Sequence, residues 1–342
     1  MKKKHYNVAV VGATGAVGRE MLRILEERRF PVARLSALAS ERSEGETLSF
    51  HGEEHTVELL REEAFDGVEI ALFSAGGAVS KRFAPAAAER GAVVIDNTST
   101  FRMDPEVPLV VPEVNPEHLE GWRARRIIAN PNCSTIQMLV ALKPLHDAAR
   151  IRRIVVSTYQ AVSGAGQKGI AELEQQVRDM FNFRDPTVEV FPQRIAFNCI
   201  PCIPQRDAFD EHGQTSEELK MVNETHKMMG ADIKVAATCV RVPVFTGHAE
   251  VINIELDQPL EVKLARQLLI SAPGVMLIDD PAQGLYPTPV ESAGEDMVLV
   301  GRLRVDPSVE NGLALFVVAD NLRKGAALNA VQIAELLARD HL

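Results

Sequence analysis

Val8-Ala9-Val10-Val11-Gly12-Ala13-Thr14-Gly15-Ala16-Val17-Gly18 decides the fold. An apolar run breaks on glycine, and Val17, Met21, Leu22, Ile24 and Leu25 then recur at helical spacing up to Arg28. This reads as a strand, a tight turn and a helix. Gly12 permits the turn, Gly15 lets a pyrophosphate approach the backbone, and Gly18 permits close helix–strand packing. Free amides at the helix start then face the anion. The spacing is G-x-x-G-x-x-G rather than G-x-G-x-x-G, and a purely structural turn is the competing reading.

Outward from this turn, short apolar runs alternate with helical patterns. Tyr6–Val11, Val32–Ala39, Ile70–Ser74 and Ala92–Asp96 read as strands and Val79–Arg90 as a helix, with Val107–Val111 and Arg126–Ala129 as possible extensions of the sheet. That alternation predicts a Rossmann-like parallel sheet. A boundary falls at Pro131, before a helix starting near Ser134. Beyond it, Ile151–Tyr159, Lys234–Val242, Ala249–Leu256 and Leu313–Ala319 read as strands rich in β-branched residues. Lys168–Phe181, Ser216–Met229 and Val262–Ser271 read as amphipathic helices. The expected fold class is α/β: the parallel-sheet domain plus an α+β domain with a mixed sheet. Pro281–Pro289 reads as an extended loop and Gly325–Leu342 as a closing helix.

The chain has 342 residues, a two-domain length. Its net charge of −10 argues against a nucleic-acid partner, and 46% hydrophobic residues argue for a large core. No apolar run approaches the roughly 20 residues of a membrane span. Met1-Lys2-Lys3-Lys4 before Tyr6–Val11 resembles a signal peptide, but the apolar run is too short. Four cysteines are too few for a disulfide scaffold and point to a reduced, cytoplasmic setting.

After the second strand come Ser40, Glu41, Arg42 and Ser43. Ser40, Arg42 and Ser43 can hold the 2′-phosphate of NADP, whereas Glu41 can serve an NAD ribose. Ser74, Ala75 and Gly76 form a second strand-end turn, expected to line the same crevice.

Asn130-Pro131-Asn132-Cys133-Ser134 precedes an apolar helix. A cysteine at a helix start gains thiolate character, and the same amides, with Asn132, can receive an oxyanion. Cys199, Cys202 and Cys239 better fit the ordinary buried or inert cysteine, and no metal site is expected. His248, read as lying in a turn just before a strand, is the partner histidine, by a small margin over eight others.

Together with Asn97-Thr98-Ser99-Thr100-Phe101-Arg102, Ser157–Gly166, Arg241–Val244, Gly247-His248 and Asp320–Ala327, these motifs resemble the aspartate-semialdehyde dehydrogenases along essentially the whole chain. The resemblance implies NADPH-dependent conversion of L-aspartyl 4-phosphate to L-aspartate 4-semialdehyde, on the route to lysine, threonine and methionine. It makes Cys133 the nucleophile that forms a thioester, Gln160 the residue orienting the acyl group and His248 the general acid/base. Arg241 would grip the substrate carboxylate, Arg102 and Lys220 the phosphate, and Glu217 the ammonium. Ser163, Gly164 and Asn321 would lie beside the nicotinamide. A homodimer is implied, with residues 1–131 binding NADP, 132–322 forming the catalytic and dimerisation domain, and a C-terminal helix at 323–342 packing back on the first. Without the resemblance, Arg102 can be a solvated loop arginine, Gln160 a turn residue, and Glu217 with Lys220 an exposed helical ion pair. The competing functions are an N-acetyl-glutamyl-phosphate reductase and a redox-inactive NADP-binding regulatory protein.

Overall fold

The computed structural model describes residues 5–204 and 209–342; the lysine-rich start, Met1–Lys4, lies outside the described residues. The chain divides into two compact units, Met1–Asn132 with Ala326–Leu342, and Cys133–Gly325.

The first unit runs β1 (Tyr6–Val11), α1 (Ala16–Glu27), β2 (Val32–Ala39), β3 (Thr47–Phe50), β4 (Glu53–Thr56), β5 (Glu58–Leu59), β6 (Ile70–Phe73), α2 (Gly77–Glu89), β7 (Val93–Asp96) and β8 (Ile127–Ala129). A parallel sheet has the order β5-β2-β1-β6-β7-β8, and β3 and β4 pair as a separate hairpin. The central strands are apolar on both faces, as a sheet covered on both sides requires. The α1 stripe buries Met21, Leu22, Ile24 and Leu25, each contributing about 1.5–3 kcal/mol. Strand order reverses between β1 and β6, so the crevice outside their carboxyl ends is where such sheets bind ligands. Val107–Val111 does not extend the sheet as a strand. Leu109 makes only an isolated bridge to Ala129.

The second unit runs α3 (Cys133–Ala149), β9 (Ile151–Gln160), α4 (Gly166–Phe181), α5 (Ser216–Met229), β10 (Lys234–Arg241), β11 (His248–Leu256), α6 (Val262–Ser271), β12 (Val275–Leu277), α7 (Pro289–Ser292), β13 (Val298–Asp306) and β14 (Gly312–Ala319). Its sheet has the order β10-β9-β11-β14-β13-β12. β10/β9 and β12/β13 are parallel, and the other neighbours are antiparallel, so the sheet is mixed. Sequence reading passed over β13 for a physical reason. Its register shifts between Gly301 and Arg304, and this bulge breaks the alternation that marks a strand. A Cβ on Gly301 would stand 2.4 Å from Pro287 Cδ, which explains a glycine in mid-strand.

Two further expectations need correction. His248 is not in a turn: it is the first residue of β11 and pairs with Ala319. The closing helix does not start at Gly325. A wider π-helical turn spans Arg323–Ala327, and α8 (Leu328–Asp340) follows. In the first unit α8 buries Leu328, Val331, Ile333 and Leu337 in one cluster with Tyr6, Met21 and Leu25.

Candidate active site

Each unit carries its own group of the expected residues. In the first, Gly12 has φ +85°, a conformation that disfavours side chains, and a Cβ there would lie 2.5 Å from Ser74 O. A Cβ on Gly18 would lie 2.1 Å from Gly12 O, so the helix start and the turn touch backbone to backbone. Gly15 is the N-cap of α1 and offers no side chain to its amides, and the first turn holds no acidic residue. The Ala13–Val17 backbone thus forms a cradle that suits a pyrophosphate. Thr14 Oγ1 donates to Ser43 Oγ at 3.3 Å, tying the turn to the segment after β2.

Ser40, Glu41 and Arg42 line a cleft of about 610 Å³ together with Leu59, Arg82 and Phe83. The Arg82 guanidinium lies 4.6 Å from the centre of the Phe83 ring. Sequence reading passed over Arg82, since nothing in the spacing of α2 marks which of its faces meets Arg42. Ser74 and Ala75 follow β6, and Gly76 caps α2. Arg102 is buried rather than solvated: its Nε donates to Asn130 O at 2.9 Å and its Nη2 to Asn97 O at 3.0 Å. Asn130 also donates to Asn97 Oδ1 at 2.6 Å, and Asn329 of α8 donates to Asn130 Oδ1 at 2.6 Å. These bonds brace the loop that ends at the buried Asn132.

In the second unit Cys133 is the first residue of α3, half-buried, with Gly325 against it. A Cβ on Gly325 would stand 2.8 Å from Cys133 Cβ. Gln160 ends β9, directly opposite Arg241 at the end of β10, and is a buried strand residue rather than a turn residue. Its Nε2 reaches Thr158 Oγ1 at 3.3 Å and Glu217 Oε1 at 3.4 Å. Glu217 Oε2 accepts from Lys220 Nζ at 2.9 Å. This is no exposed ion pair, because the Glu217 side chain is only 7% exposed. Its neighbour Glu218 has a different task. It closes a capping box with Thr215 and accepts from Cys239 N at 3.0 Å.

Arg241 is buried, and its Nη1 donates to Ala161 O at 2.6 Å while Nε has no partner among the described residues. Burial pulls its pKa down; the charges of Glu217 and Cys133 oppose that. His248 has no exposed surface. Its Nδ1 accepts from Ala161 N at 3.1 Å, so in this geometry the neutral ring carries its hydrogen on Nε2. Among the described residues Nε2 finds no partner. Burial, helped by Arg241 and opposed by Glu217, pulls the imidazole down to about 3.

Gly164 lets these groups converge. A Cβ there would lie 2.8 Å from Arg241 Nη1 and 3.3 Å from His248 Nε2. Asn321 Nδ2 donates to Ser163 Oγ at 2.9 Å, and Asn321 Oδ1 accepts from Gly247 N at 3.0 Å, fixing the residue before His248. Sequence reading passed over Ala161, whose backbone holds both Arg241 and His248, because a backbone contact leaves no mark on side-chain identity. The other cysteines are set differently. Cys239 is buried and its thiol pushed up by burial, Cys202 donates to Pro204 O at 3.3 Å, and Cys199 is exposed. Among the described residues no group of His, Cys, Asp and Glu could hold a metal ion, and no helix is long and apolar enough to cross a membrane.

Two family models match the chain: "Semialdehyde dehydrogenase, NAD binding domain" over residues 7–122 and "Semialdehyde dehydrogenase, dimerisation domain" over residues 142–324. An aspartate-semialdehyde dehydrogenase of Aquifex aeolicus is 56% identical over 340 residues, 98% of this chain and 99% of that protein. The crystal structure of aspartate semialdehyde dehydrogenase II of Vibrio cholerae, complexed with ASA, superposes with a TM-score of 0.96 at 54% identity, covering 99% of this chain and 100% of that one. The structure of a Candida albicans aspartate semialdehyde dehydrogenase with NADP gives a TM-score of 0.76 at 25% identity, covering 97% and 98%.

Proposed function

Because the chain belongs to the aspartate-semialdehyde dehydrogenase family, we propose that it reversibly converts L-aspartyl 4-phosphate to L-aspartate 4-semialdehyde with NADPH, through a thioester on Cys133. The observation that carries this reading is the convergence of Arg241, Glu217, Gln160 and His248 in the unit whose first helix starts at Cys133. The substrate presents a carboxylate, an ammonium and a phosphate. Arg241, buried with an unpartnered Nε, supports a bidentate grip on the carboxylate. Glu217 supports the ammonium, and a free amino group favours this substrate over an acylated amino acid. Lys220 and Arg102 are assigned the phosphate, Lys220 by exchanging Glu217 for it.

The Cys133 sulfur attacks the acyl carbon, the C–O bond to phosphate breaks, and phosphate leaves. Gln160 orients the acyl group. The first-turn amides of α3, with Asn132, stabilise negative charge on the sulfur and on the oxyanion. When bound, NADPH supplies the hydride that reduces the thioester carbonyl. Collapse then expels the Cys133 thiolate and frees the aldehyde.

His248 serves the proton chemistry, and its geometry ranks the roles. With Nδ1 held by Ala161 N, the resting ring is a donor from Nε2, suited to the carbonyl oxygen as it gains charge. Taking a proton at Nε2 requires the ring to give up the Ala161 bond.

The glycine cradle and the uncapped start of α1 fit the dinucleotide's phosphates. Ser40, Arg42 and Arg82 in one cleft support the 2′-phosphate of NADP, while Glu41 in the same cleft leaves room for some use of NAD. Ser163, Gly164 and Asn321 are assigned the nicotinamide side. The protein acts as a homodimer in the cytoplasm, on the route to lysine, threonine and methionine.

Cys133→Ser tests the mechanism. The variant is expected to keep NADP binding, read as a thermal shift, and to lose phosphate-dependent NADP reduction with aspartate semialdehyde. Full activity in that variant would overturn the thioester route. Running the assay in parallel with NAD tests the cofactor.

A further inference from the structure

Glu250 is a buried ionisable group that has no part in the mechanism above. Glu250 sits on β11 two residues after His248, on the same face of the strand. It has no exposed surface. Burial pushes its carboxyl well above the usual carboxylate range, while Gln137 and Ser134, from the first turns of α3 and within reach of it, pull the other way by favouring the charged form, and burial wins. On the flanking strands it pairs with Thr158 and Val317. Among the described residues no arginine or lysine acts on it. The titratable neighbour that feels it is Cys239 of β10, and that thiol is itself kept neutral by burial.

The cluster is short of donors. Among the described residues neither Glu250 oxygen has a hydrogen bond of acceptable geometry, and Gln137 Oε1 is also unmatched. Gln137 Nε2 is turned to the His248 carbonyl at 3.3 Å. The acceptors are therefore two carboxylate oxygens, one amide oxygen and one backbone carbonyl. The side-chain donors are one amide and the Ser134 hydroxyl. An ionised Glu250 would leave buried acceptors unpaired with no cation among the described groups acting on it, a costly arrangement. A proton on Glu250 turns one acceptor into a donor and supplies what Gln137 Oε1 lacks.

We propose that Glu250 is a positioning residue that works as a neutral acid. Its O–H donates to Gln137 Oε1, and Gln137 passes the tie to the backbone of His248, fixing the imidazole against the start of the nucleophile's helix. The neutral form also keeps negative charge away from the first turn of α3, where it would oppose charge on the Cys133 sulfur. The positioning role rests on the reading of Cys133 and His248 given above; the protonation state does not.

Two variants separate the parts. Glu250→Gln keeps an uncharged donor of similar shape, and Glu250→Leu removes the polar group. In infrared spectra at neutral pH, wild type minus Glu250→Gln is expected to show the C=O band of a protonated carboxyl. Stability gives a second readout. The unfolded chain's Glu250 ionises above about pH 4.3, while the folded carboxyl keeps its proton, so wild-type stability falls relative to the variant as pH rises. The Tm of Glu250→Gln is therefore expected to gain on that of wild type between about pH 5 and pH 8. A missing band, or a Tm difference that stays flat with pH, overturns the neutral acid whatever the enzyme catalyses. In kinetics, Glu250→Leu is expected to lower kcat about tenfold or more with KM changed less than about threefold, and Glu250→Gln to restore kcat. Wild-type kcat in Glu250→Leu, or equal loss in both variants, overturns the positioning role.

Discussion

Arg241 shows how much one residue can say. An arginine on a buried strand needs an anion, and here its fixed partners are a backbone oxygen and the nearby charge of Glu217, with Nε unmatched. If substrate carboxylate fills that gap, Arg241→Ala removes charge-assisted bonds worth about 1.5–3 kcal/mol each. KM for aspartate semialdehyde should then rise by about 10- to 100-fold or more, more than kcat falls. An unchanged KM in steady-state assays would free Arg241 from that role. His248 makes a second, pH-dependent prediction. Its folded pKa is depressed, so below about pH 6.5 the unfolded chain takes up a proton that the folded ring refuses. Its contribution therefore costs stability progressively as pH falls, on the order of 3 kcal/mol by about pH 4. The acid-side fall in Tm should be shallower in His248→Gln than in wild type, and equal slopes would contradict the buried neutral ring. Arg241 was legible in the sequence because charge on an apolar strand is a local contradiction. The setting of His248 was not, since a residue after glycine can end a turn or begin a strand.

At the scale of elements, α5 divides labour between adjacent carboxylates. Glu218 caps the helix with Thr215 and holds Cys239 N, which leaves Glu217 to meet Gln160 and Lys220. Thr215→Ala should lose about 1 kcal/mol in urea unfolding, by removing the side chain that accepts from Glu218 N. No loss would mean the box contributes nothing net. The longer helices and most long strands of both units followed from periodicity because each amphipathic face repeats within a few residues, whereas the short β3, β4, β5, β12 and α7 offer too few residues for a period to show. β13 did not, since its bulge and mid-strand glycine answer to Pro287 and Ile278, neighbours outside its own pattern.

On the scale of the whole molecule, the second unit leaves Phe183 fully exposed and Phe181 and Phe197 largely so, the last two edge to face at 6.2 Å. Large apolar groups clustered in water mark a contact surface, and this one falls within the residues matched by the dimerisation-domain model. Phe181→Ser combined with Phe183→Ser should shift the mass measured by light scattering from two chains toward one; an unchanged mass would place the dimer contact elsewhere. The sequence alone determined the parallel sheet behind the glycine turn, the change to a mixed sheet after Pro131, and the residues whose chemistry the family resemblance names. These follow from spacing, and spacing obeys the chain's own helical and pleated geometry. Only tertiary structure decided that His248 carries its hydrogen on Nε2, that Glu217 rather than Glu218 faces Gln160, and that Glu250 is sealed beneath α3. Those facts depend on partners such as Ala161 with His248 and Ser134 with Glu250, roughly 90 to 115 positions apart in the chain. Burial and hydrogen bonding between such distant residues leave no periodic trace, so folding alone sets which polar groups meet and which protons they keep.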